Sequence, residues 1–183
     1  MIRLAIDPGI QCFGAAVFEN EWLKTARLCR NFTINERHET HATRKVENSE
    51  PLNAHRACVE LITWLTAIGV ARKVDKVLIE VPRIYPASQQ KGDQNDLIAL
   101  AGFAYALATC VHSAEEIVRF FPRDWKGTID PDVMTSRIEA RLAPAESASL
   151  EPCPKSLRHN MIDAVGIGLF DMGRLDRRRV IVQ

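Results

Sequence analysis

The sequence predicts an α/β protein, a mixed five-stranded sheet with helices packed on it. Two observations carry that expectation. The first 30 residues hold short apolar runs around a Pro-Gly turn, the pattern of consecutive strands. Beyond Pro51 the apolar spacing changes to helical, and two further short strand patterns are each preceded by a helical one.

Residues 2–7, IRLAID, and 12–19, CFGAAVFE, read as strands joined through Pro8-Gly9, and EWLKTARLC (21–29) as a third. Residues 31–50 are polar and aperiodic and read as a long surface loop. From Pro51, one apolar stripe of Leu52, Cys58, Val59, Leu61, Ile62, Leu65 and Ile68 predicts a helix, with Gly69 near its end. KVLIEV (76–81) is a strand broken by Pro82, followed by the polar linker RIYPASQQKGDQN. Residues 96–114, DLIALAGFAYALATCVHSA, predict a helix apolar on nearly every side, which requires cover on two faces. EEIVRFFP (115–122) is the fifth strand, and RDWKGTID (123–130) a loop. Asp130-Pro131 looks like a helix cap followed by proline at the first helical position, opening a helix that runs to about Ala143. APAESASLEPCPK (143–155) reads as a loop and SLRHNMIDAVGIGLFDMG (156–173) as the last helix.

The totals bound the function. A chain of 183 residues, 46% hydrophobic and 26% charged, suits one domain spanning residues 1–183. No run approaches the roughly 18 apolar residues of a membrane span, and MIRLAID reads as a strand rather than a signal peptide. Cys12, Cys29, Cys58, Cys110 and Cys153 are scattered without CxxC spacing, as expected of reduced thiols in a cytoplasm. With a net charge of +1, any surface for a polyanion must come from local clusters. Two exist: the stretch from Lys24 to Lys45, with Arg27, Arg30, Arg37 and Arg44, and the C-terminal Arg174, Arg177, Arg178 and Arg179. Taken alone, each reads first as a solvated charged face.

Three acids stand in apolar elements with no local reason to be there. Asp7 ends the first strand, Glu80 lies near the end of the fourth, and Asp163 sits on the apolar side of the last helix. If the first and fourth strands are parallel neighbours, Asp7 and Glu80 reach one edge of the sheet. Asn160 and His159 precede Asp163 by three and four residues, on the same side of that helix. Clustered carboxylates repel unless a cation joins them, and a hard divalent ion suits oxygen ligands. Any one of these acids also reads as a cap or a salt-bridge partner; three together favour a metal site.

The motifs IDPGIQCFGAAVF, LIEVPRIYPASQQKGDQNDLIALAGFAYALA, FPRDWKG and HNMIDAVGIGLF occur in this order along nearly the whole chain. In that order they resemble the RuvC-type Holliday-junction resolvases of the RNase H-like superfamily, most closely the phage-encoded branch. The resemblance implies an RNase H-like sheet and a metal-dependent, structure-selective endodeoxyribonuclease of DNA recombination and repair. A homodimer would nick opposed strands of a four-way junction, leaving 5′-phosphate and 3′-hydroxyl ends. It implies that Asp7, Glu80 and Asp163 hold two Mg²⁺ or Mn²⁺ ions, that Lys126 is a functional lysine, and that the helix at 96–112 forms the dimer. Localisation would be a bacterial or phage-infected host cytoplasm. The chain departs from the family in three places. Asn160 replaces the usual Asp or His, with His159 beside it as a ligand or a proton donor; Phe13 stands where cellular members have threonine; and DPDVMTSRI lacks a second lysine.

Arg83, Tyr85, Gln89, Gln90 and Lys91, with Arg123 and Lys126, are the candidate DNA contacts. Tyr85 would stack on an opened base, a contact worth ~1–3 kcal/mol, or pack on its own loop. Trp125 reads as a packing anchor that orients Lys126. His38 and His41 lack the spacing of a metal site. Three other readings remain: an RNase H-like enzyme acting on RNA, hybrids or other branches; a nucleotide-binding kinase- or ATPase-like domain; and a junction-binding module without catalysis.

Overall fold

The computed structural model describes residues 1–9, 11–30, 50–83 and 94–175; of residues 50–52 and 94 only the backbone is described. The segment 31–49, with Arg37, His38, His41, Arg44 and Lys45, lies outside these residues. So do Tyr85, Gln89, Gln90 and Lys91, the side chain of Leu52, and Arg177, Arg178 and Arg179.

Strands β1 (Ile2–Asp7), β2 (Cys12–Glu19) and β3 (Trp22–Arg30) form an antiparallel meander. Helix α1 (Glu50–Ala67) leads to β4 (Lys76–Glu80), and α2 (Gln94–Thr109) to β5 (Glu116–Phe120). Strand β4 lies parallel to both β1 and β5, so the order across the sheet is β3-β2-β1-β4-β5. The expected mixed five-stranded sheet with parallel first and fourth strands is therefore present.

Alternation along the strands divides the core into two layers. Leu4, Ile6, Phe13, Ala15, Val17, Val77 and Ile79 face α1 and α2. Ala5, Ala16, Phe18 and Leu78 face the opposite layer, made by α4 (Pro131–Glu139) and α6 (Arg158–Asp171). On α2, Phe103, Ala104, Leu107 and Ala108 are buried, while Ile98 is 58% and Tyr105 45% exposed. The helix is apolar on nearly every side, and the described residues pack against one side of it.

Several boundaries differ from the sequence reading. The supposed loop at 123–130 begins with a short helix, α3 (Pro122–Trp125), because Pro122 suits a first helical turn and Asp124 accepts the Phe121 N–H at 2.9 Å. The supposed loop at 143–155 contains α5 (Pro144–Ala148), which starts the same way on Pro144 and Glu146. Helix α4 stops at Glu139 rather than near Ala143, and α2 at Thr109 rather than 114. Asp130 caps α4 as expected, its Oδ1 accepting the Asp132 N–H at 3.0 Å. Val59, counted in the apolar stripe of α1, is 51% exposed.

Two charge clusters are partly structural. Arg27 pairs with Glu60 and Glu151, and Lys24 with Glu19. Arg174 binds Glu146 with both terminal nitrogens, at 2.8 and 2.7 Å. Glu146 is 2% exposed and also accepts the backbone N–H groups of Leu23 and Ala143. Burial raises the pKa of this carboxyl, but the Arg174 and backbone hydrogen bonds outweigh it and hold the value at about 2. A lowered folded-state pKa stabilises the protein above the unfolded value and loses that contribution as pH falls towards the folded one. Wild type should therefore lose urea resistance between about pH 4.5 and 2 more steeply than Glu146→Gln. At neutral pH Arg174→Ala, which strands a buried charge, should cost about 3–5 kcal/mol in the same titration.

Candidate active site

The sheet register explains how two distant acids meet. Ala5 pairs with Leu78 and Ile6 with Ile79, so Asp7 and Glu80 come next along parallel neighbours. Both continue the side of their strands that carries Ala5 and Leu78, which is the side covered by α6. Helix α6 brings Asp163 to the same place. It lies close because Gly14, the cross-strand partner of Asp7, has no side chain: a Cβ there would collide with the backbone carbonyl of Asn160. The Asn160 amide nitrogen adds a second tie, donating to Cys12 Sγ at 3.3 Å.

The fourth member is Lys126, at the C-cap of α3. Its ammonium lies 3.0 Å from Asp163 Oδ2 and 3.3 Å from Glu80 Oε2. Trp125, fully buried, donates its indole N–H to that same Glu80 oxygen at 2.6 Å. Trp125 thus anchors the loop and also orients a carboxylate. That second role had no signal in the sequence, since it depends on where β4 ends relative to α3.

The electrostatics follow from burial and crowding. Asp7 is 8% exposed, and its pKa is raised well above the ordinary carboxylate range. Burial is the main cause, followed by the charges of Glu80 and Asp163, with Lys126 opposing. Glu80 is also raised by burial, against the pull of Lys126 and the Trp125 hydrogen bond. Burial works against the Lys126 charge, but the carboxylates of Glu80, Asp163 and Asp7 prevail and raise its pKa. One ammonium among three acids leaves a deficit of positive charge.

The donor set is chemically suited to a hard divalent cation, because three carboxylates supply oxygen ligands and need the charge. Among the described residues, no three His, Cys, Asp or Glu side chains are gathered tightly enough to hold one ion as they stand. Among the described residues, Lys126 is the cation paired with Glu80 and Asp163.

The other described candidates differ in exposure and partners. His159 is exposed on the first turn of α6, while Asn160 is half-buried and bonded to Cys12. Arg83 and Arg123 are exposed, and the Arg83 guanidinium lies 5.6 Å from the centroid of the Phe121 ring. Arg119, which the sequence reading passed over, lies 5.8 Å from the same centroid and donates to the Tyr105 hydroxyl at 3.4 Å.

No family model matches the sequence, and no curated protein does either. Solved structures do match. RuvC of Thermus thermophilus in complex with a Holliday junction substrate is 18% identical, with a TM-score of 0.57 over 96% of this chain and 98% of that one. A second Thermus thermophilus RuvC structure is 14% identical, with a TM-score of 0.54 over 96% of this chain and 99% of the other. The yeast mitochondrial Holliday junction resolvase Ydc2 is 12% identical, with a TM-score of 0.47 over 91% and 76%. The first two establish the fold. It is α/β, a mixed five-stranded sheet flanked by helices that are arranged as in those RuvC structures.

The Gly14 contact yields a direct expectation. Gly14→Ala should push α6 from the sheet and cost about 1–3 kcal/mol of stability, read as a lower urea midpoint. Ala15→Gly, at the neighbouring position facing the other layer, should leave the α6 contact intact.

Proposed function

We propose that this protein is a divalent-metal-dependent endonuclease that resolves four-way DNA junctions as a homodimer. The observation that carries this reading is the convergence of Asp7, Glu80 and Asp163 on one layer of a RuvC-like fold. The three carboxylates would hold Mg²⁺ or Mn²⁺, two ions per site. The Asn160 oxygen would be a neutral fourth donor, since the amide nitrogen is committed to Cys12. When bound, such ions neutralise charge on a phosphodiester and lower the pKa of water that attacks it.

The chain's own groups do the rest. Strands β1 and β4 hold Asp7 and Glu80 rigidly, and Trp125 fixes the rotamer of Glu80 through its 2.6 Å hydrogen bond. Lys126 offers a positive charge to a phosphate oxygen. His159, exposed one turn before Asp163 on α6, would give a proton to the leaving oxygen. Arg83, Arg123, Tyr85, Gln89 and Lys91 grip the flanking strands, which positions the junction without reading its sequence.

The exposed Ile98 and Tyr105 of α2 support dimerisation through the helix at 96–112, because a second copy would cover what the described residues leave exposed. Among the described residues no helix is long and apolar enough to cross a membrane. We place the work of this single nuclease domain, residues 1–183, in the DNA recombination and repair of a bacterial or phage-infected cytoplasm. Its assignment to the phage-encoded branch rests on the sequence motifs.

Asp7→Asn should abolish Mg²⁺-dependent nicking of a synthetic four-way junction while retaining junction binding in a gel-shift assay. Full activity in that variant would overturn the assignment. In wild type, junction should be cut faster than fork, linear duplex or RNA–DNA hybrid; preferential hybrid cleavage would replace the junction with an RNase H-type substrate.

A further inference from the structure

Before it can offer a charge to the substrate, Lys126 is engaged by the acids themselves. We infer that Lys126 is the resident cation of the acid cluster, and that a divalent ion enters only by displacing it. This inference rests on the metal-dependent reading above and adds how that site is kept and loaded.

Three observations support the exchange. First, the ammonium occupies carboxylate oxygens that an ion would need: Asp163 Oδ2 at 3.0 Å and Glu80 Oε2 at 3.3 Å. The Glu80 oxygen already accepts the Trp125 N–H, so two donors engage it and its lone pairs are spoken for. Secondly, an ammonium and a divalent ion cannot share so small a space, since two like charges a few ångströms apart repel strongly in a half-buried site. The carboxylates of Glu80 and Asp163 are only 13% and 18% exposed, so water screens that repulsion weakly.

Thirdly, the lysine has a way out. Trp125 is fully buried and fixes the chain immediately before it. Immediately after it, Gly127 adopts a φ of +62°, and a Cβ built there would meet no atom within 4 Å. The backbone on that side is unpacked, and the Lys126 side chain is itself 26% exposed. Its four-carbon stem pivots from a fixed root towards open space. A released ammonium remains within a side chain's length of the acids, and the anion it would meet there is a phosphate of the nucleic acid. The exchange would therefore link loading of the site to capture of substrate: the lysine neutralises the acids while the site is empty and turns to phosphate once they are occupied.

The test uses the full chain, chelator-treated, without DNA. Mn²⁺ binding is measured by calorimetry for wild type and Lys126→Met. In parallel, acylation of wild-type Lys126 by an N-hydroxysuccinimide ester is followed by mass spectrometry, with and without saturating Mn²⁺. Lys126→Met should bind Mn²⁺ on the order of tenfold more tightly, and Mn²⁺ should raise the acylation rate of wild-type Lys126 several-fold. Unchanged or weaker binding by Lys126→Met overturns the exchange, and so does a wild-type Lys126 that stays protected at saturation. The acylation arm needs no variant, so it decides even if Lys126→Met folds poorly. Failure of both proteins to bind Mn²⁺ removes the metal-dependent reading itself and the exchange with it; Mn²⁺ binding without exchange removes only the latter.

Discussion

The structure depends on one close approach, the backbone of α6 resting on β2 where Gly14 has no side chain. Strand positions in a sheet are fixed by hydrogen bonds, but a helix laid on a sheet ordinarily stands off by the thickness of the side chains between them. Here that separation vanishes at one point, beside the cross-strand partner of Asp7. Asp163, one turn along the helix, is thereby brought down to the level of acids that end two parallel strands. A larger residue at Gly14 would leave every element formed but lift α6 from the sheet and so separate the charges.

Bringing the acids together creates an electrostatic cost that the rest of the site manages. Burial and mutual repulsion both disfavour ionised Asp7 and Glu80, whereas the indole N–H of Trp125 and the ammonium of Lys126 favour the charged form. These compensations come from one short stretch, α3 and its cap, held by a tryptophan sunk in the core between α4 and α6. The four-residue helix thus lets a buried anchor and a half-buried charge follow one another directly in sequence.

Much of this was legible in the sequence. The meander, the two βα crossings and the last helix follow from apolar spacing and from Pro-Gly punctuation, and the parallel pairing of β1 with β4 follows from the crossover. Asp7, Glu80 and Asp163 were conspicuous because each interrupts an apolar run. What was not legible depends on register and on contact between distant segments. Whether Asp7 and Glu80 face one side of the sheet is decided by single-residue pairing, which periodicity does not give. The pairing of Arg174 with Glu146 joins residues whose local context marks them as surface charge, so a cluster that looked suited to polyanions turned out partly to be an internal tie. Short helices opening on Pro122 and Pro144 were missed because four or five residues hold too little periodicity to register.

Helix α6, which carries Asp163, is also fastened at both ends. Near its start, Asn160 is tied to Cys12; near its finish, Asp171 binds Arg3 and Lys76, and Arg174 just beyond binds Glu146 and the Glu21 carbonyl. A helix gripped in this way has a fixed span. Sliding it by a single residue would shift Asp163 by about 1.5 Å and turn it by roughly a quarter of a revolution, away from the other acids. The interval from Asn160 to Arg174 therefore behaves as a ruler whose length cannot change without separating the acids.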